Sequence, residues 1–159
     1  FALGALFPLA FAIGAIPYGV AALTNAMVVR RVGMRRILHL GIIAIIAVNA
    51  AHLALIFAGI DSLLLFVLSV CATLFALGFV GANAMAIAMG PMGAVAGAAA
   101  SANGFATTTG GAVIGMIIGN QFNGATTPVS AGFLLMGLIA IGAILWTERG
   151  KILMRPEDE

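Results

Sequence analysis

The chain has 159 residues, of which 63% are hydrophobic and only 8% are charged, with a formal net charge of +2. An ordinary soluble domain is about 45–50% apolar and about a quarter charged. This chain therefore has too few charges to cover a surface that faces water, and its composition predicts a membrane protein. Cys71 is the single cysteine, which excludes an internal disulfide and gives no support to redox chemistry.

Five apolar runs are each long enough to cross a bilayer, which takes about 20 helical residues. The first contains Pro17, and the third follows Asp61 and Ser62, which are good N-cap types. The segment "GPMGAVAG" predicts a break before the fourth, and Trp146 falls where an interfacial aromatic belt would lie. Runs this long exclude barrel strands of about ten residues. The prediction is an all-α membrane protein, one bundle over residues 1–159, with spans at about 4–29, 37–58, 62–89, 95–119 and 129–147.

Positive charge occurs in only two segments. The first is "NAMVVRRVGMRR", which places Arg30, Arg31, Arg35 and Arg36 between the first two spans, and the second follows the fifth span. Four predicted spans separate the segments, so the positive-inside rule places both in the cytoplasm. Residue 1 is then extracytoplasmic and is Phe rather than Met, so we expect a fragment of a longer protein. The cluster lies between two spans, which favours a role in topology and contact with membrane lipid over nucleic acid.

The predicted spans contain no Asp, Glu, Lys or Arg, so His39 and His52 are the side chains in them that titrate near neutral pH. His52 follows Asn49 by three positions and shares its helix face. It forms either a proton or ligand site or a helix–helix hydrogen bond, and we favour the hydrogen bond because no acidic partner is present. Without paired carboxylates, a metal-ligand cluster or a Ser–His–Asp set, we expect neither an enzyme nor a metal or other cofactor.

Neutral polar residues in the third and fourth spans have two interpretations. Asn83 and Asn103 lie roughly 10–18 Å along their helices from the predicted break, at 1.5 Å per residue. They could therefore face each other or a common cavity, with Thr107 continuing the polar run. The alternative is that they form interhelical hydrogen bonds worth about 0.6 kcal/mol each.

Glycines in the fourth span recur every four residues. Gly111, Gly115 and Gly119 lie on one helix face, a GxxxG-type pattern that is typical of close helix packing in membranes. The sequence thus predicts that the fourth span packs tightly against a neighbouring helix.

Three stretches together resemble the C-terminal half of a major facilitator superfamily transporter, and most closely the drug:proton antiporters of the Bcr/CflA type. They are "FAIGAIPYGVAALTNAMVVRRVGMRR", "GANAMAIAM" with the following "PMGAVAGAAASANGF", and "GGAVIGMIIGNQFNGATTPVSAGF". The resemblance covers essentially the whole chain. It implies helices eight to twelve of a bacterial inner-membrane exporter of small organic compounds. It also implies proton antiport, alternating access and a missing N-terminal half as the partner.

The resemblance also implies roles for individual residues. The first, third and fourth spans would line the central cavity, which makes Tyr18, Asn83, Asn103, Phe105 and Thr107 substrate-facing candidates. The segment with Arg30, Arg31, Gly33, Arg35 and Arg36 would correspond to a basic cytoplasmic gating loop. Arg30 stands where the superfamily pattern has Asp, so the charge-relay role of that Asp does not carry over.

A second hypothesis is a stand-alone helical membrane scaffold or assembly subunit without transport activity. The glycine pattern and the lack of ionisable residues in the spans favour it. Seven further spans encoded upstream would favour transport, whereas a start codon immediately before Phe1 would favour the scaffold.

Overall fold

The computed structural model describes residues 7–121, 125–149 and 153, and this part of the chain contains helices and no strands. The all-α fold class is thus confirmed. The predicted bounds agree with the helices to within a few residues, and residues 4–6 of the first predicted span lie outside the described ranges. In chain order the helices are α1 (Phe7–Val32), α2 (Met34–Phe57), α3 (Leu63–Met89), α4 (Ala96–Asn120) and α5 (Thr127–Thr147).

Four helical stretches in the described part of the chain are long and apolar enough to cross a membrane: Ile13–Val32, Met34–Phe57, Leu63–Asn120 and Thr127–Thr147. The third stretch is 58 residues long and consists of α3, a 3-10 segment at Gly90–Val95, and α4. Pro91 stands near the start of that segment, and the backbone of Met92 (φ −96°, ψ 15°) is not helical. The sequence-based count of five spans divides this stretch at Gly90–Val95.

The arginine-rich segment is helical rather than a loop, which corrects the sequence-based interpretation. Arg30 and Arg31 belong to the last turn of α1, while Arg35 and Arg36 belong to the first turn of α2. Gly33 alone separates the helices, with φ of +88°. That conformation is readily available to glycine and strained for other residues. The reversal between α1 and α2 is therefore made by one residue.

Helices α2, α3 and α5 form the centre of the bundle, and α1 packs on α3. Single glycines allow the closest approaches. A Cβ built on Gly78 of α3 would lie 2.7 Å from both Ala21 Cβ and the backbone oxygen of Tyr18 on α1. A Cβ on Gly41 of α2 would lie 2.7 Å from a methyl of Val80 on α3. Small residues that let backbones approach are typical of helix packing in lipid.

Helix α4 stands apart from this centre. It makes few contacts with α3 and α5, and none of its residues is buried by the described part of the chain. The side chain of Ile118 on α4 reaches Gly132 on α5, at the place that a Cβ on Gly132 would occupy.

Candidate functional site

A buried polar cluster joins the three central helices. Asn49 and His52 on α2 face Ser69 and Thr73 on α3 and Ser130 on α5. The Asn49 amide donates to Thr73 Oγ1 at 3.0 Å, and His52 Nδ1 lies 2.7 Å from Ser130 Oγ and 3.3 Å from Ser69 Oγ. All five side chains are buried. His52 thus makes the helix–helix hydrogen bonds that its spacing from Asn49 suggests.

An exposed carboxylate lies at the end of the bundle nearest this cluster. Asp61 precedes α3, and the buried hydroxyl of Thr126 lies 3.2 and 3.3 Å from its two carboxylate oxygens. Ser62 caps α3 by accepting a hydrogen bond from the Leu65 backbone N–H at 3.3 Å, which confirms the N-cap expected at this position. Since Thr126 precedes α5, the carboxylate ties the α2–α3 connection to the start of α5.

A charged cluster joins α2 and α5 at the opposite end of the bundle. Arg35 Nη1 lies 2.5 Å from Glu148 Oε1, and His39 Nε2 lies 3.0 Å from Glu148 Oε2. The His39 contact is at ion-pair distance, although its alignment is not that of a hydrogen bond. His39 Nδ1 accepts the Leu153 backbone N–H at 2.9 Å. We name Arg35, His39 and Glu148 the α2–α5 clamp.

The helix dipoles indicate that the charges of the clamp are stabilised by contacts between helices and not by their own helices. Arg35 lies in the first turn of α2 and Glu148 at the C-cap of α5, where the dipole of each helix disfavours its charge by a few tenths of a kcal/mol or more. Each charge therefore interacts unfavourably with the dipole of its own helix and is stabilised by the opposite charge on the other helix. Sequence reasoning missed this pair, because Glu148 directly after an apolar run reads as an interfacial end residue.

Asn83 pairs with α1 rather than with Asn103. Its amide nitrogen donates to Asn25 Oδ1 at 2.7 Å and to the Phe79 backbone oxygen at 2.7 Å, and both asparagines are buried. Asn103 on α4 instead places its amide nitrogen 3.0 Å from the sulfur of Met85. Asn83 and Asn103 thus do not face each other, and Asn83 makes the interhelical hydrogen bond of the alternative interpretation. Its partner Asn25 is a residue that sequence reasoning missed.

The other substrate-facing candidates lie on surfaces that the described chain leaves open. Tyr18 is 45% exposed, Phe105 is 73% exposed, and Thr107 is exposed as well. The Thr107 hydroxyl donates to the Asn103 backbone oxygen at 2.8 Å within its own helix. The structure therefore brings none of these three into a common enclosed site.

The glycine pattern on α4 is not at a close helix contact. A Cβ on Gly111, Gly115 or Gly119 would meet nothing within 4 Å among the described residues. Gly111 and Gly115 instead line an apolar cavity of about 440 Å³ between α4 and the central helices, with Ile45 and Gly137 on the opposite wall. The predicted tight packing of this helix face is not made by the residues that the structure describes.

Among the arginines of the "NAMVVRRVGMRR" segment, Arg30, Arg31 and Arg36 are exposed, whereas Arg35 is half-buried in the clamp. Within residues 7–121 and 125–149, no three His, Cys, Asp or Glu side chains lie close enough together to hold a metal ion. No family model, no curated protein and no solved structure matches the chain.

Proposed function

We propose that the chain is one helical bundle of a secondary transporter. The transporter would export small organic compounds in exchange for protons, by rocking against a second bundle of the same protein. The substrate class, the proton and the N-terminal partner bundle come from the resemblance to major facilitator antiporters. The structural observation that supports the proposal is the uncovered helix α4.

Helix α4 presents polar groups that the described part of the chain does not cover. Ser101 and Thr107 satisfy their hydroxyls on backbone oxygens of their own helix, at 3.0 and 2.8 Å. Among the described residues, the Asn103 amide has as its partner the thioether of Met85, a weak acceptor. An amide facing hydrocarbon is costly, so a membrane helix of this kind requires a water-filled cavity or a further polar partner. The interface between two transporter bundles provides such a cavity.

Contacts at the two ends of the bundle support five membrane crossings, with both basic segments on the same side of the membrane. Asp61 and Thr126 meet at one end, and Arg35 and Glu148 meet at the other. Helix α2 therefore runs opposite to α5, and the stretch Leu63–Asn120 has to leave and regain the Asp61 end. A straight helix of its 58 residues would be about 87 Å long, against a hydrocarbon core of about 30 Å. We propose that it crosses twice and that the arginines and Glu148 lie in the bacterial cytoplasm.

The same uncovered helix supports the second hypothesis, in which the chain is a scaffold that holds another membrane subunit. A permanent protein partner would cover Asn103 and Phe105 as effectively as a cavity would. The two hypotheses differ in what happens at α4, because a scaffold retains its partner and a transporter releases its substrate.

Export by everted membrane vesicles tests the proposal, using the protein expressed with its natural flanking sequence and a panel of fluorescent organic compounds. Asn103→Leu should lower proton-driven export of at least one compound about fivefold, the effect of losing one hydrogen bond of about 1 kcal/mol. Met116→Leu, at an exposed apolar position of the same helix, is the control. Equal export by the wild type and Asn103→Leu would remove α4 from the substrate path. Absence of export by the wild type, with a partner protein co-purifying, would favour the scaffold.

A further inference from the structure

A narrow apolar groove lies between α1, α2 and α3, close to the arginine-rich segment. Its volume is about 320 Å³, and its lining consists of aliphatic and aromatic side chains together with Gly41. Leu40 and Phe75 in this lining are 46% and 40% exposed, so the groove is open to the surroundings of the bundle. The lining residues include Val28 and Val32 of α1, Leu40 and Ala44 of α2, and Phe75 and Phe79 of α3.

The dimensions of the groove fit a slender apolar occupant. From Ile37 to Ala44 the groove follows α2 for about 10 Å, so that a volume of about 320 Å³ corresponds to a cross-section of about 30 Å². A helix with its side chains is at least about 10 Å wide and needs a cross-section of roughly 80 Å². The groove is therefore too narrow for a further helix, and it suits a single alkyl chain.

Positive charge lies at one end of the groove. Arg31 directly precedes Val32 and lies one helical turn after Val28, while Arg36 lies one turn before Leu40 on the same face of α2. Both arginines are exposed. Neither of them makes an ion pair with another residue in the described part of the chain. One helix on each side of the turn thus supplies a cation that can bind an anion at the end of the groove.

The first turn of α2 adds to the attraction for an anion. The N-cap residue Gly33 provides no side-chain hydrogen bond, and the turn contains no acidic residue. Backbone N–H groups at the start of a helix favour a negative ligand. The same helix dipole disfavours the charges of Arg35 and Arg36. Glu148 stabilises Arg35, whereas an anion from outside the chain would be needed to stabilise Arg36 in the same way.

We infer that this groove and the two arginines form a binding site for an anionic phospholipid. The phosphate lies between Arg31 and Arg36, and one acyl chain occupies the groove. Basic sites between membrane helices bind anionic headgroups, and the cytoplasmic leaflet, where the proposed topology places these arginines, carries such lipids. The bound lipid joins α1 to α2, which share few direct contacts. The inference rests on the shape and charge of this end of the bundle and does not require the chain to transport a substrate.

Native mass spectrometry tests the headgroup part of the site, using the protein expressed with its natural flanking sequence and titrated with dioleoyl phosphatidylglycerol in detergent. We expect one phosphatidylglycerol to bind more tightly than dioleoyl phosphatidylcholine, whose headgroup has no net charge. Arg31→Gln and Arg36→Gln should each weaken binding of phosphatidylglycerol about fivefold. The matched control is Arg149→Gln, which removes one exposed positive charge at the end of α5 and should leave the affinity nearly unchanged.

A second pair of variants tests the acyl chain. Ala44→Phe places a ring in the groove and should weaken binding of phosphatidylglycerol and of phosphatidylcholine alike. Ala47→Phe makes the same substitution at an exposed position of α2 outside the groove lining, and it should bind both lipids as the wild type does. The arginine variants alter exposed side chains, so they decide the headgroup part even if Ala44→Phe fails to fold.

Four results would overturn the inference. Equal affinity of the wild type for the two lipids would exclude a site for an anionic headgroup. Equal weakening by Arg149→Gln and Arg36→Gln would show a general effect of net charge. Equal binding by Ala44→Phe and Ala47→Phe would remove the acyl chain from the groove. Displacement of the lipid by an equal concentration of glycerol 3-phosphate would show that a free phosphate ester is the ligand. Because lipid binding is measured directly, each result leaves the transport proposal to be decided separately by export from vesicles.

Discussion

Adding one methyl group to Gly78 should separate α1 from α3. A Cβ at this position would lie 2.7 Å from Ala21 Cβ and 2.7 Å from the Tyr18 backbone oxygen, whereas carbon atoms in good contact are about 3.5–4.0 Å apart. The Tyr18 oxygen belongs to the helix backbone and cannot rotate away. Gly78→Ala therefore requires the two helices to move apart by about 1 Å at this point.

The change in the free energy of unfolding is obtained by comparison with a glycine at which an added Cβ would contact no other residue. Overpacking costs about 1–3 kcal/mol, while glycine to alanine within a helix gains about 1 kcal/mol. Gly78→Ala should thus lower the free energy of unfolding by about 0–2 kcal/mol relative to the wild type. A Cβ on Gly19 of α1 would meet nothing within 4 Å, so Gly19→Ala should show the gain alone. The difference between the two variants, about 1–3 kcal/mol, is the cost of the clash.

Unfolding of the purified protein by SDS in bicelles, followed by circular dichroism, measures this difference. Both variants should insert into membranes normally, because alanine is as apolar as the spans require. Equal stability of Gly78→Ala and Gly19→Ala would contradict the packing of α1 on α3. Such a result would place α1 elsewhere and would also separate Asn25 from Asn83.

Two further predictions concern the ends of the bundle. Glu148→Gln should lower the free energy of unfolding by about 1–3 kcal/mol, which lies between the values for exposed and buried ion pairs. This range applies because the Glu148 side chain is 8% exposed while that of Arg35 is 35% exposed. The control Arg36→Gln, at an exposed position, should change the free energy of unfolding by less than about 0.5 kcal/mol in the same assay. In a cysteine-free background, Arg36→Cys and Gly93→Cys should react with a membrane-impermeant thiol reagent added to one side of the membrane, and Ile60→Cys should react with reagent added to the opposite side. If Gly93→Cys reacts on the same side of the membrane as Ile60→Cys, a second crossing by Leu63–Asn120 is refuted.

Hydropathy predicted the helices well because each helix is a long apolar run with a clear break. Ser62 as an N-cap and the break near Pro91 both follow from local chemistry, which the sequence expresses directly. The loop predicted for the arginine-rich segment does not form, because one glycine with positive φ is enough to reverse the chain and the arginines on either side continue the helices.

Packing partners were harder to predict because they depend on which helices are neighbours. The repeated glycines of α4 suggested a close contact, whereas the close contacts are made by single glycines such as Gly41 and Gly78. For Asn83 the sequence leaves open a cavity lining or an interhelical hydrogen bond, and the partner in the observed bond, Asn25, lies 58 residues away on α1. Sequence periodicity shows which residues share one face of a helix. The arrangement of the helices in space decides which residues that face contacts.

The pairing of α2 with α5 constrains the order in which the protein can be assembled. Arg35 precedes Glu148 by 113 residues, and His52 precedes Ser130 by 78 residues. During synthesis α2 therefore enters the membrane long before either partner on α5 exists. Its histidines and Arg35 therefore lack these partners until α5 is inserted. Insertion of α5 is thus the step that supplies both partners, and a ribosome that stops before Thr127 leaves a membrane intermediate with this polar face of α2 open.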